Sequence, residues 1–220
     1  MNLYDDLKQK MIELIDKHDI KEDEISITTK ILSTKEAIGE TKKKDFPLLK
    51  GKEVLMNANY KGSIGQAFTD HPGIFEGSIE ELMDLDLNDN HNKPLFIASL
   101  NAILKHLGLI ESTIHCKNEG PEVCSEEIKN YLKKEYKDAK IALVGFQPSI
   151  LDSLRKDFKI RVLDLDQDNI GEEKYGVMIE DGKKDREDVM NWADLALVTG
   201  STIANGSIVD FMDLEKPVYY

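Results

Sequence analysis

"KIALVGFQPSILDSL" (residues 140–154) decides the reading of this chain. A short apolar run ends at Gly145, and Pro148 then opens a segment with apolar residues at helical spacing. A run of this length stopped by glycine has the pattern of a strand buried on both faces. Proline suits the first turn of a helix, where its missing N–H leaves no bond unmade. Working outward, the alternation repeats: "KIRVLDLD" (159–166), "YGVMIED" (175–181), "DLALVTG" (194–200) and "KPVYY" (216–220) read as strands. Between them, "PSILDSLRKDF" (148–158), "REDVMNWA" (186–193) and "NGSIVDFMDL" (205–214) read as helices. Apolar strands alternating with helices predict an α/β, Rossmann-like parallel sheet with helices on both faces. The chain stops inside what reads as a strand, so the expectation is either a missing further strand–helix unit or a small sheet.

Upstream the pattern differs. Leu3, Leu7, Met11, Leu14 and Ile15 recur at helical spacing. "DEISITTKILS" (23–33) alternates as a half-buried strand, and "KEVLMNANYKGSIGQAFT" (52–69) reads as two strands meeting near Lys61 and Gly62. Gly62 and Gly65 within this stretch suggest a bulge or the close approach of a ligand. "GSIEELMDLD" (77–86) is a short helix with Ser78 as its N-cap. The polar run "LNDNHNK" (87–93) reads as a linker, followed by helices over 94–109 and 121–138. The expected organisation is therefore a smaller α+β domain over residues 1–90 and the Rossmann-like domain over 91–220.

Composition bounds the function. The 220 residues carry 29 basic and 42 acidic side chains, a net charge of −13, and only Arg155, Arg161 and Arg186 are arginines. Nucleic-acid binders use a basic face and arginine forks, so no nucleic acid is expected as a partner. No apolar run approaches the roughly 18 residues of a membrane span, and the acidic N-terminus does not resemble a signal peptide. A cytoplasmic protein is expected, with no membrane partner; a homo-oligomer is compatible with the sequence. Cys116 and Cys124 are the two cysteines, and in this setting they are inert small residues or ligands, not a structural disulfide.

Three loops hold chemistry-bearing residues. In a doubly wound sheet ligands sit beyond the carboxyl ends of the strands. There, "VGFQPS" places Gly145, Phe146 and Gln147 before a helix whose N–H groups face an anion or carboxylate. The dinucleotide pattern G-x-G-x-x-G is absent, so no dinucleotide cofactor is predicted. Asp164 and Asp166 are ribose contacts or solvated strand-end acids. The second loop, "LALVTGSTIANGS" (195–207), offers Thr199, Gly200, Ser201, Thr202, Asn205 and Gly206 as hydrogen-bonding and close-approach positions, with a helix starting near Gly206. The third, "IHCKNEGPEVC" (114–124), sets His115, Cys116 and Cys124 close together near a helix N-terminus, which favours thiolates. One imidazole and two thiolates suit a soft or borderline divalent metal. His71 and His91 lie in loops and join such a site or remain exposed. Ser63, Gln66 and Asp70 are polar residues that face an interdomain site in this reading.

These residues resemble a known family. "KIALVGFQPSILDSL", "WADLALVTGSTIANGSIVDFMDL", "IASLNAILKHLG" and "IHCKNEGPEVC" together resemble DUF364, the "putative heavy-metal chelation" domain, most closely at T-G-S-T-I-x-N-G-S. "YKGSIGQAFTD" resembles its companion DUF4213, whose fold is like the enolase N-terminal domain. The resemblance implies a pocket between two domains, with the site on Gly145–Gln147 and Thr199–Gly206, and a role in binding a heavy metal or a metal-chelating small molecule. The expected function is thus binding of a small polar ligand, metal ion or metal chelate in an interdomain cleft. The alternatives are an enzyme acting on a nucleoside-like or carboxylated metabolite and a non-catalytic interaction protein.

Overall fold

The structure, a computed structural model, describes residues 3–21 and 27–220. The chain forms two compact units, each built from discontinuous segments. Unit 1 comprises residues 1–37, 53–115 and 201–209; unit 2 comprises 38–52, 116–200 and 210–220.

Unit 1 is α+β. Its helices are α1 (Leu3–His18), α2 (Thr34–Ile38, whose last residue belongs to unit 2), α3 (Ile79–Met83), α4 (Asn92–His106) and α8 (Ser201–Asn205); α5 to α7 belong to unit 2. Strands β1 (Ile27–Ile31), β2 (Val54–Tyr60), β3 (Ser63–Thr69) and β4 (Glu76–Gly77) form an antiparallel sheet in the order β3-β2-β1-β4. Met11, Ile15, Tyr60, Leu82, Phe96 and Ile103 meet in one core. The N-cap expected at Ser78 is present, and Glu81 completes it as a capping box: the Ser78 hydroxyl accepts from Glu81 N–H at 3.1 Å, and Glu81 Oε2 accepts from Ser78 N–H at 2.7 Å. Of the strand expected over 23–33, residues 23–26 lie outside the described residues.

The expected bulge is absent. Pairing between β2 and β3 runs unbroken from Val54↔Thr69 to Tyr60↔Ser63. Lys61 (φ +49°) and Gly62 (φ +82°) make the two-residue connection, which needs positive φ at both positions to match the strand twist. Gly65 serves a different end. A Cβ there would lie 2.2 Å from the Ala98 carbonyl oxygen and 2.3 Å from Ala102 N, so the α4 backbone rests directly on the sheet at this point.

Unit 2 carries the doubly wound sheet. Strands β5 (Lys140–Val144), β6 (Lys159–Asp164), β7 (Glu173–Lys174), β8 (Val177–Asp181), β9 (Leu195–Val198) and β10 (Val218–Tyr219) stand in the order β10-β9-β5-β6-β8-β7. All neighbours are parallel except the β7–β8 pair. On β5, Ile141 and Leu143 join a cluster with Leu132 of α5 (Gly120–Glu135) and Leu151 of α6 (Pro148–Leu154). Ala142 and Val144 join an opposite cluster with Val189 and Met190 of α7 (Arg186–Trp192). The α/β class and the five strands read from the sequence are met; the short antiparallel edge strand β7 was not among them.

Two expectations on organisation are revised. Residues 87–93 are not an interdomain linker: Asp89 accepts from the N–H groups of His91 and Asn92, and the turn leads directly into α4. Because Phe96, Ala98, Ala102 and Ile103 are buried in the unit 1 core, the break between units does not fall at residue 90. The helix expected near Gly206 ends there instead. Gly206 has φ +88°, its N–H donates to Thr202 O at 3.0 Å, and a 3-10 turn (Ser207–Phe211) follows. Among the described residues no helix is long and apolar enough to cross a membrane.

Substituting alanine at Gly65 forces backbone to move, since neither contacted atom belongs to a flexible side chain. Gly65→Ala is expected to destabilise by about 3 kcal/mol, against about 1–2 kcal/mol for Gly62→Ala, where only left-handed backbone strain applies. Urea denaturation checks this; equal losses at the two sites would mean α4 is not seated on Gly65.

Candidate functional site

The strand order of unit 2 reverses at one place. From β5 the chain moves outward through β6 to β8, then returns to lay β9 and β10 on the other side of β5. The loops after β5 and β9 leave adjacent strands in the region where ligands enter such sheets. Thr199 N–H donates to Val144 O at 3.0 Å and Gly145 N–H to Leu163 O at 2.8 Å, which extends the pairing past the strand ends. Gly145 is required twice over: φ is +84°, and a Cβ would lie 2.6 Å from Thr199 Cγ2. Gly200 is different. Its φ is outside the left-handed region and a Cβ would have nothing within 4 Å. The protein itself therefore does not demand glycine at 200.

Phe146 points inward. It is 4% exposed, belongs to the core beneath α5 and α6, and has its ring 6.5 Å from that of Tyr175. Gln147 precedes α6 in an extended conformation and makes no side-chain cap bond. Thr199 has bonds within the protein.

Asp164 is a clamp. Its Oδ2 accepts from Phe146 N–H at 3.0 Å and from Asn169 Nδ2 at 3.2 Å, while Oδ1 accepts from Asp166 N–H at 2.9 Å. A carboxylate offers about four acceptor positions, so three are already committed to the protein. One carboxylate thereby ties the β5–α6 loop to the loop after β6. The Phe146 N–H expected to face an anion instead faces this carboxylate, and the fixed negative charge favours hydroxyl donors and cations over a bare anion. Asp166 likewise turns inward on its own loop, accepting from Asp168 N–H at 3.0 Å, with Lys52 Nζ 3.5 Å away.

The second half of the hydroxyl-rich stretch belongs to unit 1. Residues 201–205 form α8, in which Thr202 is 2% exposed and Ile203 packs on the unit 1 core. Tyr4 Oη donates to Ile203 O at 2.6 Å, and burial pushes the Tyr4 hydroxyl up to about 12. Asn205 Oδ1 accepts from Ser207 N–H at 2.9 Å and Oγ at 2.7 Å. Asn205, Gly206 and Ser207 thus end a short helix, a role that explains them without a ligand. Ser201 is half-buried and has bonds within the protein.

The three expected metal ligands divide between the units. His115 lies in unit 1, its N–H donating to Gln66 Oε1 at 2.7 Å and its ring edge-on to Phe68 at 4.7 Å. Cys116 and Cys124 lie in unit 2 and meet. Cys116 packs against Gly120, where a Cβ would come within 2.7 Å of the Cys116 Cβ, and Cys124 sits one turn further along α5 on the same face. Burial first, and then the adjoining Cys124 thiol, push the Cys116 thiol up to about 11. This reverses the lowering expected from the helix N-terminus. Two thiols in contact resist ionising together, and a soft cation bound between them removes that repulsion. The pair fits such a cation; among the described residues, no group of three or more His, Cys, Asp and Glu side chains is placed to hold a metal. His71 and His91 are brought together, with ring centroids 5.3 Å apart, a pairing that twenty residues of separation conceal in the sequence.

A parallel sheet wound on both faces with a switch point at β5 and β9 defines unit 2 as a Rossmann-like α/β unit. Residues 130–217 match the model of the DUF364 family, described as "Putative heavy-metal chelation". The chain is similar to the crystal structure of a DUF364-family protein of unknown function from Pyrococcus horikoshii, with TM-score 0.56 and 14% identity over 96% of this chain and 74% of that one. It is also similar to a DUF364-family protein of unknown function from Desulfitobacterium hafniense DCB-2, with TM-score 0.50 and 11% identity over 73% of this chain. The chain spans 62% of the length of that second protein. No curated protein matches the chain.

The clamp has a measurable strength. Asp164→Ala leaves two backbone N–H groups and an amide without their acceptor, and about 2–3 kcal/mol of stability should be lost, given roughly 1.5–3 kcal/mol for a hydrogen bond to a charged group and incomplete additivity. Asp164→Asn keeps one acceptor oxygen and should lose less. Denaturant titration of both variants decides it; equal stability to the unaltered protein would show that the loops do not depend on Asp164.

Proposed function

We propose that unit 2 binds a small polar molecule at the carboxyl edge of its parallel sheet, between the loops that follow β5 and β9, and that this molecule is a metal chelate. We further infer that unit 1 is the DUF4213-type companion domain suggested by "YKGSIGQAFTD". The observation that carries the ligand site is the reversal of strand order at β5 and β9, together with the open space at Gly200. Gln147, whose side chain caps nothing, and Thr199 supply an amide and a hydroxyl suited to the carboxylates and hydroxyls of a chelator. Asp164 holds the loops and, with its negative charge, favours a ligand bearing a cation. The family description of residues 130–217 supports this choice of ligand.

Thermal denaturation tests it. Tag-free protein would be melted with citrate, with nickel and iron citrate, and with nucleotides and adenosylmethionine. The metal chelates are expected to stabilise, by about 2.7 kcal/mol at a hundredfold excess over Kd. Gly200→Val should remove that stabilisation while shifting the unliganded midpoint little. Stabilisation by nucleotides or adenosylmethionine alone would move the site to an enzyme of nucleoside-like substrates. A shift that survives Gly200→Val would place the ligand elsewhere.

A second reading rests on the meeting of Cys116 and Cys124. A thiolate from the segment before α5 and one from its first turns together hold a soft metal directly, and each thiol must lose its proton on binding, so affinity rises with pH. Metal analysis of protein loaded with copper(I) is expected to give near-stoichiometric uptake, lost in the Cys116→Ser/Cys124→Ser variant and weaker at pH 6 than at pH 8. Equal uptake by the variant would remove the cysteines from metal binding.

A further inference from the structure

A different pair of side chains, His71 and His91, meets in unit 1. His71 follows the end of β3, and His91 directly precedes α4. The loops that carry them are packed together: at Gly73 a Cβ would lie 3.1 Å from Leu95 Cδ1 and 3.6 Å from the His91 carbonyl oxygen. Each ring is anchored through the same atom. His91 Nδ1 lies 3.2 Å from the Pro72 carbonyl oxygen, which only accepts, so Nδ1 carries the proton. His71 Nδ1 lies 2.7 Å from Asp70 Oδ1, and an ionised carboxylate likewise only accepts. Both imidazoles in their neutral form are thereby fixed in the tautomer that leaves the lone pair on Nε2, and neither Nε2 hydrogen-bonds to the described residues.

This is how metal-ligating histidines are held: the second nitrogen donates to a carboxylate or carbonyl, which sets tautomer and ring orientation. The spacing agrees. Two imidazoles on a tetrahedral ion at about 2.0–2.1 Å per nitrogen have centroids about 5 Å apart, and here the separation is 5.3 Å with the rings inclined at 76°. The rings are reachable from solvent, the His71 side chain being 42% exposed. Asp70 and Asp89 add negative charge beside them, Asp89 Oδ1 accepting from His91 N–H at 2.9 Å.

We propose that His71 and His91 form a two-imidazole site for a borderline divalent transition-metal ion (copper(II), nickel(II) or zinc(II)), water completing the coordination. Asp70 and the Pro72 carbonyl are positioning groups. The site is separate from the thiol pair and from the carboxyl edge of unit 2, and stands whether or not either of those binds anything.

The test is calorimetric titration of full-length, tag-free protein with nickel(II) alone, repeated with copper(II) and followed by electron paramagnetic resonance. One ion per chain is expected, with coupling to two nitrogens in the copper spectrum. His71→Ala and His91→Ala should each weaken binding at least about tenfold, and Asp70→Asn by about tenfold, the usual effect of losing an outer partner. Cys116→Ser/Cys124→Ser should leave this affinity unchanged. His71→Gln and His91→Gln, with circular dichroism as a control, guard against loss through misfolding. Absence of nickel and copper uptake by the unaltered protein, or affinity retained when either histidine is replaced, would overturn the proposal, leaving the ring contact as packing alone.

Discussion

A strand buried on both faces exposes no side chain to water, so each of its residues must be apolar and each backbone group must find its partner in a neighbouring strand. β5 and β9 meet that condition together: Ile141 to Val144 and Leu195 to Val198 are all buried, and the two strands pair in parallel from Ile141↔Leu195 to Val144↔Val198. Alternate residues of β5 then feed two different clusters, which fixes α5 and α6 on one face and α7 on the other. Register, layer order and the position of the loops at the carboxyl edge all follow from that two-faced burial.

In the loops from which a ligand site was read, most polar groups are turned on the protein itself, in unit 2 at Asp164 and in unit 1 at Asn205 and Thr202. Asp164 holds two loops, Asn205 closes a helix and Thr202 is buried. The exception is a space, not a group. Gly145 is glycine because its backbone and Thr199 leave no alternative, whereas at Gly200 the protein asks for nothing. A position where the fold is indifferent to a side chain is one where a ligand can be the reason for its absence.

The sequence made the α/β unit legible because its strands are continuous apolar runs stopped by glycine or aspartate, a signal that needs no knowledge of distant contacts. The N-cap at Ser78 was equally legible, since a cap depends only on the first turn that follows it. What was hidden depends on contacts far apart in sequence. Gly65 reads as a bulge until α4 is laid across it. The polar run 87–93 looks like a linker because its side chains satisfy its own turn. Asn205-Gly206-Ser207 contains the residues that begin a helix and also those that end one, and only the burial of Thr202 and Ala204 selects the second use. The thiol pair was legible from the spacing of 116 and 124, but not the burial that keeps Cys116 protonated. The meeting of His71 and His91 required the chain to pass through a strand end, a turn and a helix start.

The path of the chain through α8 has a consequence for how the protein is made. Residues 201–209 leave unit 2 after β9, complete the core of unit 1 and then return. Tyr4 and Ile203, bonded across that core, are 199 positions apart. During synthesis the first unit to emerge from the ribosome is therefore the last to be finished. Its sheet and α4 must wait, with the seat of Ile203 uncovered, until the sheet of the second unit has almost all been translated. Contacts of such long range close slowly, and a nascent chain that keeps apolar surface open for most of its translation is a natural client for chaperones.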